Sequence, residues 1–159
     1  MYLQLLYIQM KIEDLLKTND RLPESRRLVL NIIVTANHIT ELIAEALKPF
    51  GVSNQQFNVL RILRGQEGKP ANLSTIQERM VTKMSNTTRL VDKLADKDLC
   101  ERIVCPSNRR KVEIRITRDG LELLKKIDPV IDKVENDIAR KINEKEILSL
   151  NTNLNELRS

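Results

Sequence analysis

A mainly α-helical fold with one small β-hairpin is predicted by three observations in the 159-residue sequence. Apolar residues recur at helical spacing towards both ends of the chain. Two short segments with helix-start signals, joined by a tight link, occupy the middle, and residues 99–116 read as two strands around a Pro-Ser-Asn turn. With 41% hydrophobic and 31% charged residues, the chain has enough apolar material for one packed core.

From the N-terminus, residues 2–17 carry a weak helical stripe through Leu5, Ile8, Ile12, Leu15 and Leu16, broken at Thr18-Asn19-Asp20 and Pro23. A long amphipathic helix is predicted over 25–48, with Leu28, Ile32, Ala36, Ile39, Ile43, Ala46 and Leu47 on one face and Pro49 and Gly51 ending it. Ser53 and Gln56 stand three apart as a capping box opening a helix that buries Phe57, Leu60 and Leu63 and closes in the Gly65–Pro70 loop. A second box, Ser74 and Gln77, opens the next helix, and after the link Val81-Thr82-Lys83 a third is predicted to run to about Lys97. Ile76, Met80, Leu90, Val91 and Leu94 can converge between these two, as a helix-turn-helix requires.

The hairpin is clearest in its second strand, where Val112, Ile114 and Ile116 alternate with Lys111, Glu113 and Arg115. After Thr117 a coiled-coil-like seam runs through Leu124, Ile127, Ile131, Val134 and Ile138, with Pro129 as a bend position. A last helix follows an Asn143/Glu146 box, its stripe being Ile147, Leu150, Leu154 and Leu157. The end stripes exceed what one small core needs, so they are expected to pack against a second copy of the chain. The expected division is 1–50 (N-terminal dimerisation helices), 51–118 (DNA-binding centre) and 119–159 (C-terminal dimerisation helices).

Charge singles out the centre. Residues 79–118 hold 11 of the 27 Lys and Arg but only 5 of the 22 Asp and Glu, a local balance of +6 against −1 for the rest. A cationic middle between nearly neutral arms is the distribution of a polyanion binder. On the outward face of the third central helix and at its start stand Lys83, Ser85, Asn86, Thr88, Arg89 and Lys93, polar or basic side chains suited to base edges and phosphates in a major groove. At the hairpin tip, Arg109, Arg110 and Lys111 follow Asn108, placed to reach phosphates or a minor groove. The four aromatic residues, Tyr2, Tyr7, Phe50 and Phe57, are too few for stacking on single strands, so double-stranded DNA is the expected partner.

Other functions lack their residues. One histidine, His38, four scattered glycines and the absence of HExxH, GxSxG, P-loop or GxGxxG patterns leave no nucleophile with a base, so no enzyme is expected. Cys100 and Cys105 have neither a second pair nor a nearby His, so no metal or other cofactor is expected. An odd separation along one strand places them on opposite faces, with Cys100 in the core. The longest apolar runs are far shorter than the roughly 20 residues of a membrane span, with Arg26, Arg27 and Glu41 interrupting or flanking the best of them, so no transmembrane helix is expected. The start lacks a secretion signal's basic region and cleavage site, so a cytoplasmic location and no membrane partner are expected, with Met10 a second possible start.

The run LSTIQERMVTKMSNTTRLVDKLADKDLCERIVCPSNRRKVEIRITRDG resembles the winged helix-turn-helix of the MarR-type bacterial transcription regulators. Its carriers are Thr88-Arg89-Leu90-Val91-Asp92-Lys93-Leu94, Leu99, Arg102, the wing Arg109-Arg110, and Ile116-Thr117 with Gly120 three on. The resemblance implies a winged helix-turn-helix flanked by N- and C-terminal dimerisation helices. It also implies a homodimer on pseudo-palindromic DNA, usually repressing transcription, and often released by a small aromatic or anionic effector. By position, Ser85, Asn86, Thr88 and Arg89 become recognition contacts and Arg110 the wing contact, supported by Arg109 and Lys111. The family's acidic wing residue is Asn108 here, which removes the charged pair that stiffens that loop. His38, with Phe57, falls where the family's effector cleft would lie. The competing function is a helical protein-interaction module on the same scaffold, its basic face meeting an acidic protein.

Overall fold

A computed structural model describes residues 11–18, 20–104 and 112–159, and the chain divides into two compact units, 1–42 and 43–159. In the first unit a four-residue helix, α1 (Ile12–Leu15), is all of the expected N-terminal helix that falls among the described residues. It stops at Lys17, whose φ of 52° lies in the left-handed region. Arg27 closes this unit locally, its Nε 2.9 Å from Glu13 and its Nη1 2.9 Å from Glu24.

The long helix α2 (Glu24–Leu47) begins in the first unit and ends in the second, where a 3₁₀ turn, Lys48–Phe50, and a left-handed Gly51 at φ 66° terminate it. Pro49 cannot continue an α-helix, and glycine takes the positive φ without a Cβ penalty. Leu28, Val29, Ile32 and Ile33 on α2 are exposed, 36–54% each. Within the 27 residues Glu24–Phe50 an 18-residue stretch reaches a mean hydropathy of 1.3, long and apolar enough by length and composition to cross a membrane. That exceeds the run expected from the charge pattern, because Arg26 and Arg27 sit at its start and Glu41 leaves the turns before it uninterrupted. Asn31, Thr35 and His38, spaced four and three apart, nevertheless give the helix a polar side.

The second unit holds the core. Helix α3 (Asn54–Arg64) opens on the expected box: Ser53 Oγ accepts from Gln56 N at 3.2 Å, and Gln56 Oε1 accepts from Ser53 N at 3.0 Å. It buries Phe57, Val59, Leu60 and Leu63. Two residues, Ala71–Asn72, form a strand β1 that leads straight into α4 (Leu73–Arg79), and α5 (Thr87–Ala95) follows a turn. Strands β2 (Cys100–Val104) and β3 (Val112–Ile116) pair antiparallel from Cys100↔Ile116 to Val104↔Val112. The expected hairpin is thus present, but it belongs to a three-stranded sheet in the order β1-β3-β2, with Ala71 opposite Ile114. Two paired residues show no period, so β1 leaves no signal in the sequence.

Ile76, Met80, Val91 and Leu94 converge in the core as expected, with Leu90 half-buried against it and Ile114 and Ile116 covering it from the sheet. Helix α6 (Arg118–Ala139) runs through Pro129 and adds Leu124, Ile127 and Ile131 to the same core. Helix α7 (Glu144–Glu156) has its expected box, Asn143 N donating to Glu146 Oε2 at 2.9 Å and Glu146 N to Asn143 Oδ1 at 3.0 Å. Leu148, Leu150 and Leu157 of this last segment remain exposed.

Cys100 occupies the expected core position, 3% exposed, its Sγ donating to the Val91 carbonyl at 3.6 Å. Burial pushes its thiol up to about 11, against a smaller opposite pull from Arg102. At pH 8 iodoacetamide should therefore spare Cys100 in the folded chain and label it in urea, as peptide mapping would read. Because the folded value lies above the unfolded one, stability is full below pH 9 and falls as pH rises towards 11, with a Cys100→Ala variant lacking that component.

Candidate nucleic-acid interface

Helix α4 is capped two residues earlier than the sequence suggests. Asn72, not Ser74, is the N-cap: its Oδ1 accepts from Thr75 N at 2.8 Å and from the Ser74 hydroxyl at 2.6 Å. The Ser74/Gln77 box is thereby replaced, and the Gln77 side chain is free to do something else. Its Nε2 donates to the Lys83 carbonyl at 2.5 Å, and its Oε1 accepts from the hydroxyl of Thr87, a buried residue at the start of α5. One glutamine thus ties α4 to both the turn and the next helix.

The turn itself spans 80–86, longer than the expected three-residue link, because α5 begins only at Thr87. Val81 N donates to Asn58 Oδ1 of α3 at 3.0 Å, and Ser85 Oγ donates to the Thr82 carbonyl at 2.8 Å. Lys83 and Ser85 therefore lie in the turn and not on the helix. The Lys83 ammonium folds back onto the Glu78 carbonyl. Asn86 is the N-cap of α5, its Oδ1 accepting from Arg89 N at 3.1 Å, so that oxygen serves the backbone. The surface here is also less polar than expected: Val81 and Met84 are 85% and 95% exposed.

On α5 itself Thr88, Arg89 and Lys93 are exposed, Arg89 and Lys93 being one turn apart on one face. The helix has a single acid, Asp92, and Arg102 of β2 holds it at 2.5 Å. Fixed cation and carboxylate cancel locally, leaving Arg89 and Lys93 to set the potential of the outer face. Arg109, Arg110 and Lys111 of the wing tip, with Asn108 and Cys105, lie outside the described residues.

Between α3 and α6, a cavity of about 270 Å³ is lined by Phe57, Arg61, Arg64, Asp128, Ile131, Asp132 and Glu135. Arg64 binds Asp128 through both nitrogens, at 2.5 and 3.3 Å, and the Arg61 guanidinium lies 5.6 Å from the centroid of the Phe57 ring. Of the two residues expected at an effector site, Phe57 lines this cavity. His38 belongs to the first unit, half-buried, with no partner for its Nε2 among the described residues. No group of three or more His, Cys, Asp or Glu able to hold a metal exists among the described residues.

Two capped helices locked across a hydrogen-bonded turn and packed with a three-stranded antiparallel sheet define a winged helix-turn-helix fold. The sequence model of the MarR family matches residues 52–112, and over that stretch the chain is similar to the MarR-type transcription regulators. A curated relative, the HTH-type transcriptional regulator BilQ of Clostridioides difficile (strain CD3), is 24% identical over 110 residues, 69% of this chain and 73% of its own. A MarR-like transcription regulator from Bacillus cereus ATCC 10987 superposes with a TM-score of 0.76 at 19% identity, covering 85% of this chain and 96% of its own. The organohalide-sensing regulator RdhR-CbdbA1625, bound to 2,4-dichlorophenol, gives 0.78 at 19% identity, covering 86% and 80%. These likenesses support a DNA-binding regulator.

Proposed function

We propose that the chain acts in the cytoplasm as a homodimer that binds a pseudo-palindromic operator in double-stranded DNA and represses transcription until a small aromatic or anionic effector releases it. The observation that carries the reading is the outer face of α5, where Thr88, Arg89 and Lys93 project beside a helix start fixed by Asn86, Gln77 and Thr87. An α-helix presented by its N-terminal turns is what the major groove admits. Phosphates are met by Lys83, Lys93 and the wing's Arg109, Arg110 and Lys111, and sequence is read by Ser85, Asn86, Thr88 and Arg89.

Dimerisation belongs to residues 1–50 and 119–159, and the exposed Leu28, Val29, Ile32 and Ile33 of α2 and Leu148, Leu150 and Leu157 near the C-terminus supply the apolar surface for it. The effector reading draws on Phe57 and Arg61 at the cavity, a ring and a cation suited to an aromatic anion, and on the 2,4-dichlorophenol held by RdhR-CbdbA1625.

Salt titration of duplex binding tests the electrostatic half of the proposal. Log K should fall steeply with log salt, and Lys93→Ala should lower that slope by about one unit while reducing affinity for all sequences alike. A flat salt dependence in the parent chain contradicts the phosphate assignments. Sedimentation equilibrium should return a dimer, and charged substitutions at Ile32 and Ile33 should dissociate it.

A further inference from the structure

Resting on the DNA-binding reading, we infer that Met84, flanked by Val81, is a specificity-determining residue that reads the 5-methyl group of thymine in the major groove. Both side chains are almost fully in water, 95% and 85% exposed, although neither belongs to a floppy loop. The backbone carrying them is pinned on three sides: Val81 N to Asn58 Oδ1 at 3.0 Å, the Thr82 carbonyl by the Ser85 backbone N at 3.2 Å and hydroxyl at 2.8 Å, and the Lys83 carbonyl by Gln77 Nε2 at 2.5 Å. Apolar groups held rigidly outwards are positioned for a contact that the isolated chain does not make.

The surroundings say what that contact is. Met84 precedes the α5 N-cap by two residues, with Lys83 beside it and exposed Arg79 and Arg89 on the two adjoining helices. Cations and a helix N-terminus select a polyanion. On duplex DNA the apolar handle that the major groove offers is the thymine methyl, which side-chain carbon packs against. A flexible thioether adapts to that methyl better than a branched residue would, and Val81 supplies a second, stiffer edge.

Deoxyuridine, which is thymine without its methyl, provides the test. The full chain and Met84→Ala would be titrated on the duplex enriched by in vitro selection, with each thymine of a half-site replaced in turn. One replacement should weaken the parent about fourfold, the worth of one buried methyl. Met84→Ala should lose about fourfold on the thymine duplex and be indifferent to that same replacement, and its melting temperature should match the parent because the side chain is exposed. Indifference of the parent to every replacement, or a variant as sensitive as the parent, overturns the assignment while leaving an enriched site, and so the DNA-binding reading, intact. Failure to enrich any duplex overturns both and passes the surface to an acidic protein.

Discussion

Gly120→Ala is expected to destabilise the chain by about 3 kcal/mol, at the upper end of what overpacking costs, and to lower the melting temperature by roughly 10 °C. A Cβ at this position would lie 2.2 Å from the Leu99 carbonyl oxygen, 2.8 Å from Ile116 Cγ1 and 3.2 Å from the Leu99 carbonyl carbon. None of these neighbours can give way cheaply. The Leu99 carbonyl already accepts from Thr117 N at 3.2 Å, and Ile116 is the last residue of β3, paired with Cys100. Thr117 joins the same knot, its Oγ1 accepting from Gly120 N at 3.0 Å and donating to the Asp98 carbonyl at 2.6 Å. The close approach therefore fixes where α6 leaves the sheet. Gly65→Ala is the control: its Cβ would meet only ordinary contacts at 3.5 Å with the backbone right-handed, so a shift within about 1 kcal/mol is expected. Urea melts of the two variants would separate the cases, and equal stabilities would refute the account of α6 docking.

Arg89→Ala should cost about 1–3 kcal/mol of affinity for the preferred operator, up to about a hundredfold in Kd, and relax its sequence preference. The side chain is exposed on α5, so folding should be unchanged. Competition against random duplex separates the two roles proposed for this face: loss at Arg89 should depend on sequence, whereas loss at Lys93 should not. A uniform loss at Arg89 would reassign it to phosphate.

Much of this architecture was legible because its signals are local. Ser53 with Gln56, and Asn143 with Glu146, are capping boxes that satisfy one another's backbone groups within a single turn, and both form as read. The strand alternation of Val112–Ile116 translated directly into buried Ile114 and Ile116 around exposed Arg115. Ser74 with Gln77 misled because Asn72, an equally good cap, competes for the same helix start, and β1 commits Asn72 to that geometry through its pairing with Glu113. The late start of α5 has a non-local cause: Asn58 holds Val81 from 23 residues away, and Gln77 spans the turn to Thr87. No spacing rule reveals such bonds. The same turn chemistry exposes Met84, whose hydrophobic character alone would assign it to the core.

In vitro selection of random duplexes by the purified chain at moderate salt addresses the central proposal, a dimeric reader of duplex DNA. The account predicts an enriched inverted repeat whose half-sites lie about one helical turn apart, roughly 34–36 Å, as two copies of α5 related by a two-fold axis would require. Weak, salt-sensitive retention with no enriched motif would contradict it and point instead to a winged-helix scaffold used for binding protein.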